Sequence, residues 1–395
     1  MTAAAGSGVS VNRRTFINTI GGSGAAMAVW PAGAFEPARA GRTLHVQTER
    51  TQQPPKRRGP TVRFAAVGLN HSHIYSQVDT ALEHGGELVA AYAREPDLLA
   101  AFAKRYPTAR TARSEQEILD DRSIQLVVSA AIPNERAPLG VRVMQAGKDF
   151  MVDKPGVTTL EQLAEVRRVQ AQTRRIYSIL YGGRLESAAT QRAVELVHEG
   201  AIGQVVHTLG TGPHKIGANR PDWFWNKAQF GGVLGDLGTH QVDYFLEFTR
   251  SRRAEVVAAR AGNLHHGDKP AFEDFGDAML QGESASGYFR VDWFTPGGVA
   301  TFGDSRLTVM GTDGYLEIRP NVDLAGRPGG GHLFLVDQKD TRYIDATNTP
   351  LPYGARLMAD IVNRTETAMS QEQTFLVAQL VLEAQAKARP PALSR

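Results

Sequence analysis

Two periodicities of hydrophobic residues alternate along residues 61–182. Short apolar runs, typical of buried strands, are each followed by a stretch with apolar residues at helical spacing. The predicted strands span residues 62–67, 88–93, 126–130, 150–152 and 176–181, with a short strand near Ala109. The predicted helices span residues 74–83, 98–106, 136–146 and 160–173, and one more begins at Glu115. Strands that alternate with helices in this rhythm predict an α/β domain with a doubly wound parallel sheet.

Strand patterns follow one another without intervening helices in most of residues 183–395. A helix predicted over residues 186–199 precedes them, and two helices close the chain. The predicted strands are 205–209, 255–261, 277–280, 286–293, 306–311 and 314–319, and the closing helices are 354–370 and 375–387. This order predicts an α+β domain with an open, mostly antiparallel sheet. Because such a sheet commonly pairs subunits through its free face, we expect a homo-oligomer.

Residues 231–248 combine a polar stripe with an otherwise apolar helix. Asp236, His240 and Asp243 lie at i, i+4 and i+7, whereas the other faces carry leucine, valine and phenylalanine. A histidine titrates near neutral pH, and a carboxylate four residues earlier can orient it or bind a substrate beside it. The stripe therefore predicts acid–base chemistry in a cleft. Alternatively, Asp236 is only a helix N-cap and His240 a buried structural histidine.

The carboxyl ends of the predicted parallel strands carry candidate cofactor residues, because ligands of doubly wound sheets bind there. The first turn, Gly68-Leu69-Asn70-His71-Ser72-His73, has the position of a dinucleotide-binding loop, but Asn70 and His73 replace its second and third glycines. The second strand ends at Arg94 without the usual ribose-binding acid, and this arginine suits a 2′-phosphate or is a solvated charge. The candidate cofactor residues are Gly68, Asn70, His71, His73, Arg94, Pro133, Asn134 and Lys154.

Asp153-Lys154-Pro155 follows a predicted buried strand and directs a lysine to the same edge of the sheet. A lysine in a cleft can polarise a hydroxyl or carbonyl oxygen. From the tripeptide alone, a surface lysine in an ordinary turn is an equal alternative.

The composition of the 395-residue chain is that of a globular protein, with 42% hydrophobic and 22% charged residues. This length accommodates two domains with a large core. The formal net charge of +3 is small and gives no indication of a nucleic-acid surface. The absence of cysteine excludes disulfides, thiolate metal ligands and a cysteine nucleophile.

Residues 1–34 have the pattern of a twin-arginine export signal. Arg13-Arg14 precedes a mildly apolar, glycine-rich stretch, and Ala32-Gly33-Ala34 is a small-residue cleavage site. Glycine and proline interrupt the apolar stretch, so we expect no permanent membrane span. Residues 35–60 are predicted to be a linker. We therefore expect the twin-arginine machinery to export the protein to the periplasm or out of the cell.

The chain resembles the Gfo/Idh/MocA oxidoreductases in three motifs that occur in the family's order. These are the altered glycine loop, the Asp153-Lys154-Pro155 turn and the stretch from Gly231 to Asp243. This family includes glucose-fructose oxidoreductase, and the resemblance covers residues 62–387. It implies a Rossmann-type domain that holds NAD or NADP tightly, followed by a substrate domain with an open sheet. The chemistry that it implies is hydride transfer between a sugar carbon and the nicotinamide.

The resemblance also assigns roles to three catalytic residues. His240 would take the hydroxyl proton, Lys154 would stabilise the developing oxyanion, and Asp236 would hold the sugar hydroxyl or the histidine. Charged and aromatic side chains suit carbohydrate binding. The candidate substrate residues are His214, Lys215, Arg220, Asp222, Trp223, Trp225 and Asp243.

Two alternatives stay open, because the chain departs from the family pattern at Asn70 and Arg94, and at Ala137, where relatives often have histidine. One alternative is a glycoside hydrolase or lyase that works through a transient keto-sugar. The other is a metal-dependent carbohydrate lyase that no longer uses the dinucleotide. The potential nitrogen and oxygen ligands of a divalent ion are His71, His73, His214, Asp236, His240, His265 and His266, and the set that we select is His214, Asp236 and His240.

Overall fold

The computed structural model describes residues 62–391, so the predicted export signal and linker, residues 1–60, lie outside the described residues. The described chain contains a six-stranded parallel sheet followed by an eight-stranded mixed sheet. The predicted fold class is therefore confirmed. Within the same described range, no helix is both long enough and apolar enough to cross a membrane.

The parallel sheet has the strand order β3-β2-β1-β4-β5-β6. Its strands are β1 (Val62–Val67), β2 (Gly86–Tyr92), β3 (Arg110–Thr111), β4 (Leu126–Ser129), β5 (Asp149–Asp153) and β6 (Tyr177–Leu180). Helices α1 (His73–Glu83), α2 (Pro96–Arg105), α3 (Glu115–Asp120), α4 (Pro133–Gln145) and α5 (Leu160–Thr173) connect them. Because the strand order reverses between β1 and β4, the carboxyl ends of these two strands border the crevice in which such sheets bind ligands.

The mixed sheet has the strand order β14-β13-β12-β11-β7-β10-β9-β8. Its strands are β7 (Val205–Pro213), β8 (Ala254–Gly262), β9 (Phe275–Gly282), β10 (Ser286–Asp292), β11 (Arg306–Gly311), β12 (Gly314–Arg319), β13 (His332–Asp337) and β14 (Thr341–Asp345). Only the β7–β10 pair is parallel among these described strands. The sequence pattern did not predict β13 and β14, because their alternation is short and lies between turns rich in glycine and aspartate.

Six further α-helices follow β6 in the described chain. They are α6 (Gly182–Leu185), α7 (Ala188–His198), α8 (Lys227–Phe230), α9 (Thr239–Thr249), α10 (Tyr353–Asn363) and α11 (Gln371–Lys387). One of them, α10, packs against α1 and β1. The predicted helix 186–199 starts later, at Ala188, because Ser187 caps α7 by accepting a hydrogen bond from the backbone of Thr190. The predicted helix 354–370 ends early because Arg364 adopts a left-handed conformation with φ of 58°.

Helix α11 connects the two sheets by packing against β8, α9 and α5. The side chain of Gln371 accepts a hydrogen bond from the backbone N–H of Tyr177 at 2.8 Å. The hydroxyl of Tyr181 donates to the carbonyl of Thr374 at 2.9 Å. These contacts tie the last strand of the parallel sheet to the C-terminal helix, so the carboxyl edge of that sheet has a fixed position opposite α9.

Candidate functional site

A cavity of about 990 Å³ lies between the carboxyl edge of the parallel sheet and the elements around β7 and α9. Its walls combine side chains from both parts of the described chain. Of the predicted site residues, the cavity brings together Asn70, His71, His73, Pro133, Lys154, His214, Arg220, Trp223, Asp236 and His240. The family-derived trio of Lys154, Asp236 and His240 therefore shares one site.

Lys154 and Asp236 form a largely buried ion pair, with Nζ 2.5 Å from Oδ1. Lys154 follows the end of β5, whereas Asp236 lies in a π-helical turn, Leu234–Gly238, that leads into α9. Burial raises the pKa of Asp236, but the charge and hydrogen bond of Lys154 outweigh that effect and lower it. Asp236 is therefore ionised at neutral pH and holds the lysine ammonium in the cavity wall.

Arg136 holds the turn that presents Lys154. Its side chain is buried, and Nη1 donates to the backbone carbonyls of Asp153, Lys154 and Pro155 at 3.1, 2.6 and 3.2 Å. Nη2 donates to Oδ2 of Asp153 at 3.0 Å. The sequence analysis did not identify this residue. An arginine within a helix such as α4 is usually a surface charge, so nothing in the sequence indicated that it is buried.

The carboxylate of Asp153 is also shared with a histidine of the altered glycine loop. Nδ1 of His73 lies 2.9 Å from Oδ1 of Asp153. Burial raises the pKa of Asp153, but the charges of His73 and Arg136 reverse the effect and hold the pKa well below its usual range. Because the carboxylate can only accept, His73 carries a proton on Nδ1.

Hydrogen-bond partners also fix the proton positions of His214 and His240. The backbone N–H of Gly183 donates to Nδ1 of His240 at 3.2 Å, so a neutral His240 carries its proton on Nε2. Nδ1 of His214 lies 3.1 Å from the carbonyl of Gly212 and must donate to it, which leaves a lone pair on Nε2. Burial lowers the pKa of His214 to about 4 and that of His240 well below its usual value. The two imidazoles are therefore neutral at pH 7 and have opposite hydrogen-bonding capacity.

Asp243 does not face the cavity, so its assignment to the substrate is corrected. Its side chain is buried, and both oxygens accept from Arg184, at 2.7 Å from Nε and 2.8 Å from Nη2. The prediction assumed one continuous α-helix, whereas the π-helical turn before Thr239 changes which positions share a face. Asp236 and His240 reach the cavity, and Asp243 contributes a buried ion pair.

Three further predicted substrate residues also lie outside the cavity lining. Nζ of Lys215 donates to the backbone carbonyls of Gly297 and Val299. The Trp225 ring packs edge to face against Phe272 at 5.1 Å, which is core packing. Asp222 belongs to a 3-10 turn and is absent from the residues that line the cavity. By contrast, the cavity-lining Arg220 has a buried Nε without a hydrogen-bond partner, which suits contact with a ligand, while its guanidinium stacks on aromatic rings such as Phe224.

A second cavity of about 320 Å³ lies at the ends of β1 and β2 and shares Asn70 with the first. Gly68 lines it in a left-handed conformation with φ of 75°, and a Cβ there would approach the Ala131 Cβ to 2.6 Å. Asn134 also lines it, with a buried Oδ1 that has no protein partner. The turn therefore keeps the glycine that a dinucleotide loop requires and presents an unused acceptor.

An acid does follow β2, although sequence reasoning did not find it. Glu95 lies beyond Arg94 at the start of α2, lines the second cavity, and accepts a hydrogen bond from Nδ2 of Asn70 at 2.9 Å. The predicted cofactor residue Arg94 is paired with Glu135 on the same wall. These residues fit the adenosine half of a dinucleotide. The sequence does contain this acid, but Glu95 lies beyond the strand end, where the usual spacing of the ribose-binding acid does not place it.

Of the metal ligands considered from the sequence, the fold brings together His71 and His73, joined by Asp153, rather than His214, Asp236 and His240. Within residues 62–391, His71, His73 and Asp153 form a group in which one potential ligand atom from each residue lies within 4.8 Å of the other two. The alternative set of His214, Asp236 and His240 does not form such a group. Asp236 is instead paired with Lys154.

Comparisons with known proteins assign both halves of the chain to one family. Residues 62–181 match an oxidoreductase family with an NAD-binding Rossmann fold, and residues 190–317 match the GFO/IDH/MocA C-terminal domain. A crystallised protein from Erwinia carotovora atroseptica SCRI1043, provisionally assigned as an oxidoreductase, is 42% identical with a TM-score of 0.83. That match covers 84% of this chain and 100% of the crystallised one.

Curated relatives match over shorter stretches. Levoglucosan dehydrogenase of Pseudarthrobacter phenanthrenivorans is 29% identical over 38% of this chain and 39% of its own length. D-xylose dehydrogenase of Paenarthrobacter nicotinovorans is 23% identical over 50% of this chain and 51% of its own length. The chain thus spans about half, or less, of the length of these relatives. A structure of levoglucosan dehydrogenase with NADH and levoglucosan shares the fold, with a TM-score of 0.69 at 17% identity over 83% of this chain and 98% of that chain.

The two matched domains together cover most of the described residues, and the 42% identical structure covers both sheets. The sequence resemblance is therefore confirmed, and this chain belongs to the Gfo/Idh/MocA family of oxidoreductases.

Proposed function

We propose that the protein is an NAD-dependent oxidoreductase that transfers a hydride between a sugar or glycoside and the nicotinamide. The observation that carries this proposal is the Lys154–Asp236 ion pair in the wall of a large cavity, adjacent to a groove with dinucleotide features. The names of the curated relatives, a levoglucosan dehydrogenase and a D-xylose dehydrogenase, support a carbohydrate substrate.

The second cavity favours NAD over NADP. Glu95 is placed to accept hydrogen bonds from ribose hydroxyls, and Asn134 offers a free acceptor. A 2′-phosphate would meet the carboxylates of Glu95 and Glu135, and the charge of Arg94 is already engaged by Glu135. The sequence alone left this choice open, and these contacts support NAD.

When bound, the nicotinamide supplies the hydride acceptor, and the residues of this chain handle the oxygen and its proton. As a substrate hydroxyl is oxidised, Lys154 stabilises the negative charge that develops on its oxygen. The lone pair on Nε2 of His214 accepts the hydroxyl proton, and returns it in the reverse direction. Asp236 keeps the ammonium of Lys154 in position.

The role of His240 differs from the one that the resemblance implies. A base needs a free lone pair, but Nδ1 of His240 is taken by the N–H of Gly183, and Nε2 carries the proton. His240 is therefore a hydrogen-bond donor to a substrate oxygen. The arrangement pairs a donor, His240, with an acceptor, His214, in one cavity.

Our proposal includes twin-arginine export with the dinucleotide tightly held, and association through the mixed sheet. The residue pattern of positions 1–34 supports export. Exposed Leu209 and Met279 support association, since both are apolar and lie on β7 and β9, the two strands that flank β10. Changing Arg13 and Arg14 to lysine should keep the protein in the cytoplasm, whereas unchanged fractionation would contradict this route.

The proposed function is tested on the purified, folded chain. Denaturation followed by mass spectrometry should release NAD, and mixing with free sugars and glycosides should reduce it, as followed by absorbance. Failure of the chain to carry or bind NAD or NADP would overturn the proposal. Release of an aglycone without net reduction would instead identify the glycoside-cleaving alternative.

A further inference from the structure

Two histidines and an aspartate converge on the wall of the large cavity next to Lys154. Nδ1 of His73 lies 2.9 Å from Oδ1 of Asp153, and Nδ1 of His71 lies 3.6 Å from Oδ2 of the same residue. The two imidazole rings are 4.1 Å apart between centroids and meet edge to face. One nitrogen from each ring and one carboxylate oxygen lie within 4.8 Å of one another.

We propose that His71, His73 and Asp153 bind one divalent transition-metal ion, of the zinc or manganese class. This site is distinct from the proposed hydride-transfer residues and rests on its own geometry. Two imidazole nitrogens and one carboxylate oxygen suit zinc, manganese or ferrous iron, whereas magnesium and calcium prefer oxygen ligands throughout. A metal on Nδ1 of His73 takes the place of the proton that this atom shares with Asp153.

The supporting contacts resemble those that orient metal ligands in proteins. Arg136 donates to Oδ2 of Asp153 at 3.0 Å and is buried, so the carboxylate has a fixed orientation. The two histidines come from the loop that enters α1, and Asp153 ends β5. The fold thus places the three side chains together, although 80 positions of sequence separate His73 from Asp153.

The local charge accommodates a cation. Three cations line the cavity, Arg136, Lys154 and Arg220, and three carboxylates line it, Asp153, Asp236 and Glu186. Lys154 is neutralised by Asp236 at 2.5 Å, and Arg136 by Asp153. Glu186 lies close enough to His73 and Asp153 to interact with both electrostatically. Burial raises the pKa of Glu186, and a cation bound beside it would favour its ionised form.

Three protein ligands leave coordination positions open. Catalytic zinc sites have this count, whereas structural zinc sites are closed by four ligands. The side chain of His73 is 47% exposed, and both histidines line the cavity. The open positions therefore suit an oxygen ligand from the cavity, such as a sugar hydroxyl, a carbonyl or a phosphate oxygen.

The test is a calorimetric titration of the full-length, chelator-treated protein with Zn²⁺, Mn²⁺ and, separately, Mg²⁺. Wild type should bind one equivalent of Zn²⁺ or Mn²⁺ and discriminate against Mg²⁺. His73→Ala removes a half-exposed side chain, so the fold should persist, and affinity should fall by at least about tenfold. His71→Ala should have the same effect.

His266→Ala is the matched control, because Nδ1 of His266 contacts Oδ2 of Asp274 at 2.8 Å beside a second histidine, His265. It should bind the metals as wild type does. Absence of uptake by wild type, or equal affinity in His73→Ala, would overturn the site. NAD binding measured on the metal-free protein tests the proposed function separately, so the two can fail independently.

Discussion

The backbone N–H of Gly183 donates a hydrogen bond to Nδ1 of His240 at 3.2 Å. A backbone N–H can only donate a hydrogen bond, so Nδ1 is the acceptor and the proton of the neutral imidazole lies on Nε2. The same reasoning gives His214 the opposite tautomer, because its Nδ1 donates to the carbonyl of Gly212. Two histidines of one cavity thus have different chemical roles, and their partners, rather than their residue type, decide which is which.

Replacing His214 should remove the base. We expect His214→Ala to lower kcat by about 10²–10⁴-fold, the usual contribution of a general base. Because burial lowers its pKa to about 4, wild-type kcat/KM should fall as the pH drops through about 4 and Nε2 becomes protonated. That acidic limb should be absent from His214→Ala in a pH profile of steady-state kinetics.

Replacing His240 should remove a donor but leave the base. We expect His240→Ala to lower kcat by about 10²–10³-fold, as loss of one oxyanion-stabilising hydrogen bond does. The acidic limb near pH 4 should remain. A profile in which His240→Ala loses the limb and His214→Ala keeps it would reverse our assignment.

Variants of the Lys154–Asp236 pair should affect thermal stability and turnover differently. Lys154→Ala leaves a largely buried carboxylate unpaired, so thermal stability should fall and turnover should drop by about 10²–10³-fold. The double variant Lys154→Ala/Asp236→Ala removes both charges and should regain part of the lost stability without regaining turnover. Thermal unfolding and kcat on the same preparations check this, and recovery of turnover would argue against a catalytic lysine.

Cofactor choice should depend on Glu95 and Glu135. Glu95→Ala should weaken NAD binding by about tenfold or more, because a hydrogen bond to a charged group contributes about 1.5–3 kcal/mol. Glu135→Ala frees Arg94 and should improve NADP binding relative to NAD. Calorimetric Kd values for both dinucleotides measure this, with the surface variant Glu117→Ala as control. Equal effects of Glu95→Ala and the control would refute the ribose contact.

Asp243 should contribute to stability and not to substrate affinity. Asp243→Ala leaves the buried Arg184 without its main partner and should destabilise the protein by about 3–5 kcal/mol in denaturant unfolding. KM of the folded protein should be unchanged, because the side chain does not line the cavity. A raised KM with normal stability would restore the sequence-based assignment to the substrate.

The free face of the mixed sheet should mediate association. Leu209 of β7 and Met279 of β9 each pair with Tyr288 of β10, and the first two are 44% and 47% exposed. Leu209→Glu and Met279→Glu should shift the protein towards monomers in light scattering after gel filtration. Leu324→Glu, at an exposed loop position, is the control. A wild-type monomer would contradict the expected homo-oligomer.

Much of the fold follows from local patterns in the sequence. The predicted helix 160–173 and the predicted strands 306–311 and 314–319 agree with the structure residue for residue. Each has an uninterrupted period and clear ends, such as Thr159 capping α5. The larger differences include the break at residues 186–187, the left-handed Arg364, the π-helical turn Leu234–Gly238 and the short strands β13 and β14, where the period gives no signal.

The sequence by itself determined the family and the presence of Lys154, Asp236 and His240 in one site, because these follow from motifs and their order along the chain. It also determined the two sheets, because periodicity is a property of local sequence. It could not place Asp243, Arg136 or Glu95, nor assign the protons of His214 and His240. Those features depend on a π-helical turn, on a buried arginine that binds three carbonyls, and on backbone groups far away in sequence. Only the tertiary structure decides them, because hydrogen-bond partners and burial arise when distant segments pack together.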